Sequence, residues 1–270
     1  MRSSRPLPTF IPFADRFDMT EKTETRFPLF YRQPELLTAA QHADLRLRPG
    51  GYGFARDANA IPLTIIEFGA AMRHYPIVFP AGDGFPVAIL GLDRRNGFVA
   101  DEAWAPDCYV PAYARRYPFV FVDRSQDSFV LAIDRAAPHF AAGDEGQALF
   151  SDGQPTELVE TVLTFCRDFH GAHIQTDALV AALLAQDLLV DQHADARLNS
   201  GQALMLSGFK IIDRAKFEAL PDELVLDWHR KGWLALVHFH FLSLDRFADL
   251  LTRAEKDAPP ADVPAETEDA

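Results

Sequence analysis

The 270-residue sequence is 48% hydrophobic and 24% charged, proportions that supply a sizeable core and exclude disorder for the bulk of the chain. A net charge of −13 opposes nucleic acid as a partner, because such binding draws its affinity from Lys and Arg neutralising phosphates; no basic cluster along the chain suits anionic lipid headgroups either. No apolar run approaches a membrane span, which excludes integral membrane association.

Residues 1–26 mix proline, charge and scattered aromatics without a period, and KDAPPADVPAETEDA at 256–270 is acidic and proline-rich, so both read as tails around a core near 27–255. A first helix is expected over PLTIIEFGAAMRHY, with Pro62 in its first turn, Ile65, Phe68 and Met72 on one face, and Pro76 marking its end. Short apolar runs follow at 77–79, 87–92, 119–122 and 129–134, separated by Gly, Pro, Asn and Asp, the pattern of strands joined by turns. After SDGQP at 151–155 the period turns helical: Leu158, Val162, Phe165, Cys166 and Phe169 share a face, and a second amphipathic run covers 174–187. Two helices are expected there, with His173 in the turn beyond Gly171.

ALMLSGFKIID at 203–213 returns to strand character, and Asp213 is placed to cap a short helix through Leu220. The next helix opens on Pro221, Asp222 and Glu223 and closes on His229, Arg230 and Lys231 before Gly232, which matches acids and bases to the two ends of the helix dipole. WLALVHFHF at 233–241 reads as a last strand, followed by Ser243 as the cap of a helix whose Leu244, Phe247 and Leu251 form a core stripe. The pattern predicts an α+β fold, a mixed and mainly antiparallel sheet with packed helices.

No phosphate-binding loop, dinucleotide turn, nucleophile elbow or His-Glu-x-x-His pair is present, and the sequence names no cofactor. Four local constellations are candidates for chemistry. His238 and His240 would point to the same face of a strand and reach one metal ion, the competing reading being packed, hydrogen-bonded core histidines. Cys166 and His170, four apart on a helix, suit a nucleophile or two metal ligands, but Cys166 also belongs to the apolar stripe and a buried Cys behaves as a small hydrophobe. WAPDCYVPAYARRYPF at 104–119 is the best binding candidate: Trp104, Tyr109, Tyr113 and Tyr117 surround Arg115 and Arg116, two guanidiniums suited to a carboxylate, a phosphate or an acidic peptide. The same residues would serve equally to cover a sheet edge while the arginines pair with acids. Glu67, within an apolar run, is a candidate general acid or base, with a salt bridge to an arginine as the alternative.

Several of these segments together, QHADLRLRPGGYGFA, EFGAAMRHYPIVF, VAILGL, Asn96 with Phe98 and Trp104, YVPAYARRYPF, LFSDGQP, LSGFKIID and HFLSL, make the chain similar to SapC-family proteins over roughly residues 30–255. The resemblance leaves an N-terminal extension at 1–29 and the acidic tail at 256–270 outside a SapC-like domain. It implies an association with the export of bacterial surface-layer proteins, and related genes lie near those of outer-membrane receptors and flavin-dependent tryptophan halogenases. It supplies no catalytic motif. Two cysteines, too few for a disulfide framework, and an N-terminus without the apolar run of a signal peptide predict a cytoplasmic protein. The expectation is a cytosolic accessory or binding protein that recognises a peptide or protein partner through the Tyr113–Tyr117 region; the alternative is an enzyme modifying a peptide or small molecule, with a metal near His238 and His240.

Overall fold

Short β-rich runs bounded by turn residues build the centre of the molecule, which the computed structural model describes at residues 27–82, 84–125, 128–142, 144–199, 201 and 203–257. The expectations for 1–26 and for the tail beyond Asp257 lie outside the described residues. Five strands form one sheet in the order Leu189–Arg197, Ala203–Ile212, Ile77–Pro80, Val87–Ile89, Ala60–Pro62. A second sheet places Ser128–Asp134 between Pro34–Leu36 and Phe119–Ser125. Every strand pair among the described residues is antiparallel, and with the helices this is an α+β architecture.

The helices are α1 (Ala39–His42), α2 (Phe68–Ala71), α3 (Ala112–Arg116), α4 (Glu157–Ala185), α5 (Arg214–Glu218), α6 (Asp222–Arg230), α7 (Trp233–Ser243) and α8 (Arg246–Asp257). Two clusters of buried side chains result. One lies around the five-stranded sheet and includes Phe79, Ile89, Leu183, Phe209 and Val237; the other lies around the second sheet and includes Phe119, Leu131, Ile133 and Cys166, with Phe30 and Phe54 packed against both.

Three expectations are corrected. The helix forecast from Pro62 is shorter: Pro62 ends a strand, and a single turn at Ile65–Glu67 leads into α2. The reason is Thr64-x-x-Glu67, whose Glu67 carboxylate accepts the Thr64 N–H at 2.8 Å and so starts the helix at Ile65, beyond Pro62. The two helices forecast over 157–187 are one, because the buried stripe Val159, Cys166, Phe169, Thr176, Val180, Leu183 keeps its helical spacing straight through Gly171. His173 therefore lies mid-helix, stacked on Phe85 at 4.5 Å.

The third correction matters most for function. WLALVHFHF is not a strand but α7, entered through Gly232 at φ 73°. Val237, His240 and Phe241 are buried at i, i+3 and i+4, and the helix packs against α2, α6 and the strands Ile77–Pro80 and Ala203–Ile212. Contacts on several sides explain a segment that is apolar all round, and burial overrides the β propensity of its aromatics. Ser243 closes α7 instead of opening the next helix: its hydroxyl donates to the His240 carbonyl at 2.6 Å and accepts the Ile77 N–H at 3.0 Å. Asp213 does cap α5, accepting from Ala215 and Lys216. No strand was expected at Leu189–Arg197, whose polar run Asp191–His193 conceals it; Lys210 on the neighbouring strand pairs with Asp191 at 3.1 Å.

Candidate functional site

The segment Trp104–Phe119 is held from its backbone outward. Trp104 donates its indole N–H to the Tyr75 hydroxyl at 3.0 Å, and that hydroxyl donates to the Tyr109 carbonyl. Glu67, 3% exposed, accepts from the Tyr109 hydroxyl at 3.0 Å and from the Ala112 N–H at 2.6 Å while it also holds Thr64. Among the described residues it makes no salt bridge to an arginine; Arg115 reaches the Tyr109 hydroxyl instead, at 3.2 Å. Burial, with Glu67 beside it, pushes the Tyr109 phenol up to about 12.

Burial divides the six residues singled out in this segment. Trp104, Tyr113, Arg116 and Tyr117 are core, and Tyr117 donates to the buried Asp134 carboxylate at 2.9 Å. Arg116, 4% exposed, lies between the rings of Tyr113 and Phe169, its guanidinium carbon 4.8 and 4.4 Å from their centres. It is also close enough to Tyr31 to oppose the rise that burial imposes on that phenol. Arg115 is exposed over Phe165 and Tyr109, and Tyr109 is half-buried. The two arginines therefore face different surroundings and do not grip one group together.

The histidine pair separates as well. Two residues along a helix is about 200° of rotation, so His238 and His240 lie on different faces of α7. His238 packs edge-on against Phe217, whereas His240 is fully buried with both ring nitrogens engaged, Nδ1 with the Ile77 carbonyl at 2.8 Å and Nε2 with the Ile212 N–H at 3.1 Å. Burial lowers its pKa to about 4. Cys166 is 2% exposed and His170 packs on Phe129. Among the described residues no group of three or more His, Cys, Asp or Glu is placed to hold a metal ion.

A pocket of 350 Å³ opens elsewhere, at the back of the aromatic segment. Arg73 and His74 reach it from the turn after α2, Phe98 forms part of its wall, Cys108 comes from the aromatic segment, and Arg253 and Lys256 come from α8. The helix contributes Asp249, Thr252, Arg253 and Lys256, a polar stripe at i, i+3, i+4 and i+7 opposite its apolar one. Arg253 lies over the Phe98 ring at 4.0 Å, donates to the Gly97 carbonyl at 3.4 Å and approaches the Cys108 sulfur at 3.9 Å. Phe98 in turn packs edge-on against Tyr75, whose hydroxyl ties the wall to Tyr109.

The pocket is cationic. Among the described residues none of Arg73, Arg253 and Lys256 takes part in an ion pair, and its one carboxylate, Asp249, is held by Arg246 at 2.7 Å. Burial and the charges of Arg73, Arg246 and Arg253 lower the pKa of His74, which keeps it neutral at pH 7. Burial raises the Cys108 thiol against the opposing pull of Arg253. A wall of two guanidiniums, an ammonium, a thiol and a hydroxyl is a donor set for an anion.

The SapC family model matches residues 37–250 of the 270. The chain belongs to the SapC family. No curated protein and no solved structure matches it. No helix of the described residues is long and apolar enough to cross a membrane. The SapC match takes in Arg73, His74, Phe98, Cys108 and Asp249 but stops short of Thr252, Arg253 and Lys256, so the cationic side of the pocket is completed by residues beyond the matched stretch. The family-like segments EFGAAMRHY and YVPAYARRYPF meet in this SapC chain through Glu67, Tyr75 and Tyr109, as the frame behind the pocket. The signal missed in the sequence is the spacing 249, 252, 253, 256, readable as a polar helical stripe but tied to Arg73 only by the fold.

Proposed function

We propose that this SapC-family protein is an accessory binding protein that recognises an acidic group on a peptide or protein partner and seats it between Arg73, Arg253 and Lys256. The observation that carries this reading is the pocket itself: three cations outside any described ion pair converge on 350 Å³ in a chain of net charge −13. Such a site focuses its field on incoming anions. Arg253, stacked on Phe98, is pre-oriented and loses little freedom on binding. The family's association with surface-protein export makes an exported protein, or a segment of one, the class of client this reading favours. The metal-dependent enzyme reading depended on His238 and His240, which α7 keeps apart.

The test is fluorescence anisotropy with labelled hexaglutamate and hexaglutamine peptides. The acidic peptide is expected to bind the more tightly, with an affinity that falls as salt rises. Arg73→Ala with Lys256→Ala is expected to weaken it by at least about tenfold, equivalent to ~1.4 kcal/mol. Equal binding of the two peptides, or binding untouched by the double substitution in a chain with unchanged circular dichroism, would refute the proposal.

A further inference from the structure

We infer that the chain's own acidic segment, Asp262–Asp269, occupies this pocket in cis and competes with the acidic partner there. The inference rests on the anion-binding reading of the pocket and adds its regulation. Three observations support it. The first is position: α8 lines the pocket with Asp249, Thr252, Arg253 and Lys256, and the described chain leaves that helix at Asp257, one residue past the last pocket cation. The second is charge: Asp262, Glu266, Glu268 and Asp269 follow, with no Lys or Arg after Lys256. The third is that Arg73, Arg253 and Lys256 pair with no carboxylate among the described residues, although the chain has 39 acids for 26 basic residues.

Reach is ample. Asp262 lies six positions beyond Lys256 and Glu266 ten, at most about 20 and 35 Å of extended chain. A roughly spherical pocket of 350 Å³ is about 9 Å across, so the segment can leave the helix, turn back and place two carboxylates inside. A tether this short holds the segment at an effective concentration on the order of 1 mM. If the free segment bound with a Kd near 0.1 mM, the tether would fill the site about nine-tenths of the time and weaken an acidic competitor by ~10-fold. The device is therefore a threshold: weakly acidic peptides are turned away, and a client with more carboxylates, or one present at high local concentration, displaces the segment.

The experiment uses the full chain carrying Asp262→Asn, Glu266→Gln, Glu268→Gln and Asp269→Asn, with labelled hexaglutamate as the probe. The expected result is about tenfold tighter binding than wild type, and loss of that gain when Arg73→Ala and Lys256→Ala are added. A gain that persists in the pocket-substituted background assigns the effect to bulk charge and overturns the inference. Equal affinity of wild type and the neutralised chain also overturns it, while the anion-binding proposal stands. No binding by either chain removes both.

Discussion

His240 offers the sharpest quantitative test of how this fold is held. The strands Ile77–Pro80 and Ala203–Ile212 pair only at Phe209 with Pro80 and Lys210 with Phe79. Beyond that point the imidazole takes the place of the ladder, donating from Nδ1 to the Ile77 carbonyl at 2.8 Å and accepting the Ile212 N–H on Nε2 at 3.1 Å. The ring is 0% exposed and must be neutral to accept, which agrees with burial lowering its pKa to about 4. His240→Ala leaves a buried N–H and a buried C=O unpaired, at about 1–3 kcal/mol each, and adds a cavity, so a loss of ~3–5 kcal/mol is expected.

The pH dependence has a definite sign. The unfolded chain takes up a proton on this residue near 6.5, whereas the folded chain resists until about 4. Stability from this group is therefore level above about pH 6.5 and is lost as pH falls from there towards 4, by ~3 kcal/mol in all. Urea denaturation of wild type and His240→Ala at pH 7.5 and 4.5 isolates the contribution: the gap between the two proteins should narrow by about 2–3 kcal/mol at the lower pH. A gap that stays constant, or a substitution costing less than ~1 kcal/mol at pH 7.5, would show that the imidazole does not bridge the two strands.

Glu67→Gln should destabilise the protein by about 1–3 kcal/mol, because one carboxylate serves Thr64, Tyr109 and Ala112 and the amide has a single accepting oxygen. The same substitution removes the negative charge beside Tyr109, so the phenol should titrate below its present value of about 12; an unchanged ultraviolet titration of Tyr109 would contradict the contact. At the pocket, His74 faces Arg73 on its own turn and Arg246, Arg253, Asp249 and Lys256 on α8, with Cys108 across the cleft. Its lowered pKa makes it neutral at pH 7, and protonation adds a fourth positive charge. Sulfate, which does not titrate in this range, should bind more tightly as pH falls below 6.5, and His74→Gln should flatten that rise; a rise that survives the substitution would place the titrating group elsewhere.

Much of the strand content was readable because it is local. The runs at 77–79, 119–122 and 129–134 are apolar, short and fenced by turn residues, and the structure places strands on all three. Asp213 and the charge-matched ends of Asp222–Arg230 were readable for the same reason, since a cap and a dipole act within one turn. The segment 233–241 was not, because its aromatics favour a strand locally, and only the neighbours that enclose it on several sides favour a helix. Gly171 misled in the opposite direction: its backbone propensity suggested a break, but the apolar stripe on either side of it is continuous and its own position is open.

The candidate site divides along the same line. Aromatics and arginines concentrated in Trp104–Phe119 mark a place where the chain commits many large side chains, and composition does not say that Trp104, Tyr113, Arg116 and Tyr117 are buried. Arg116 shows that composition leaves burial open: its guanidinium is buried between the rings of Tyr113 and Phe169 and is not among the pocket cations. Arg253 makes a similar stacking contact with Phe98 but sits where α8 borders an opening, so its charge faces a pocket. The difference between a core arginine and one at an opening lies in what stands opposite it, and here the opposite wall comes from Arg73 and His74, about 180 residues earlier in the chain. Glu67 and Tyr75 hold the Tyr109 segment that backs the cleft, while the charges that line it come from two stretches unremarkable on their own. Substitutions in the first group should therefore act on stability, and substitutions at Arg73 and Lys256 on affinity, a separation that the peptide titrations and the denaturation curves measure independently.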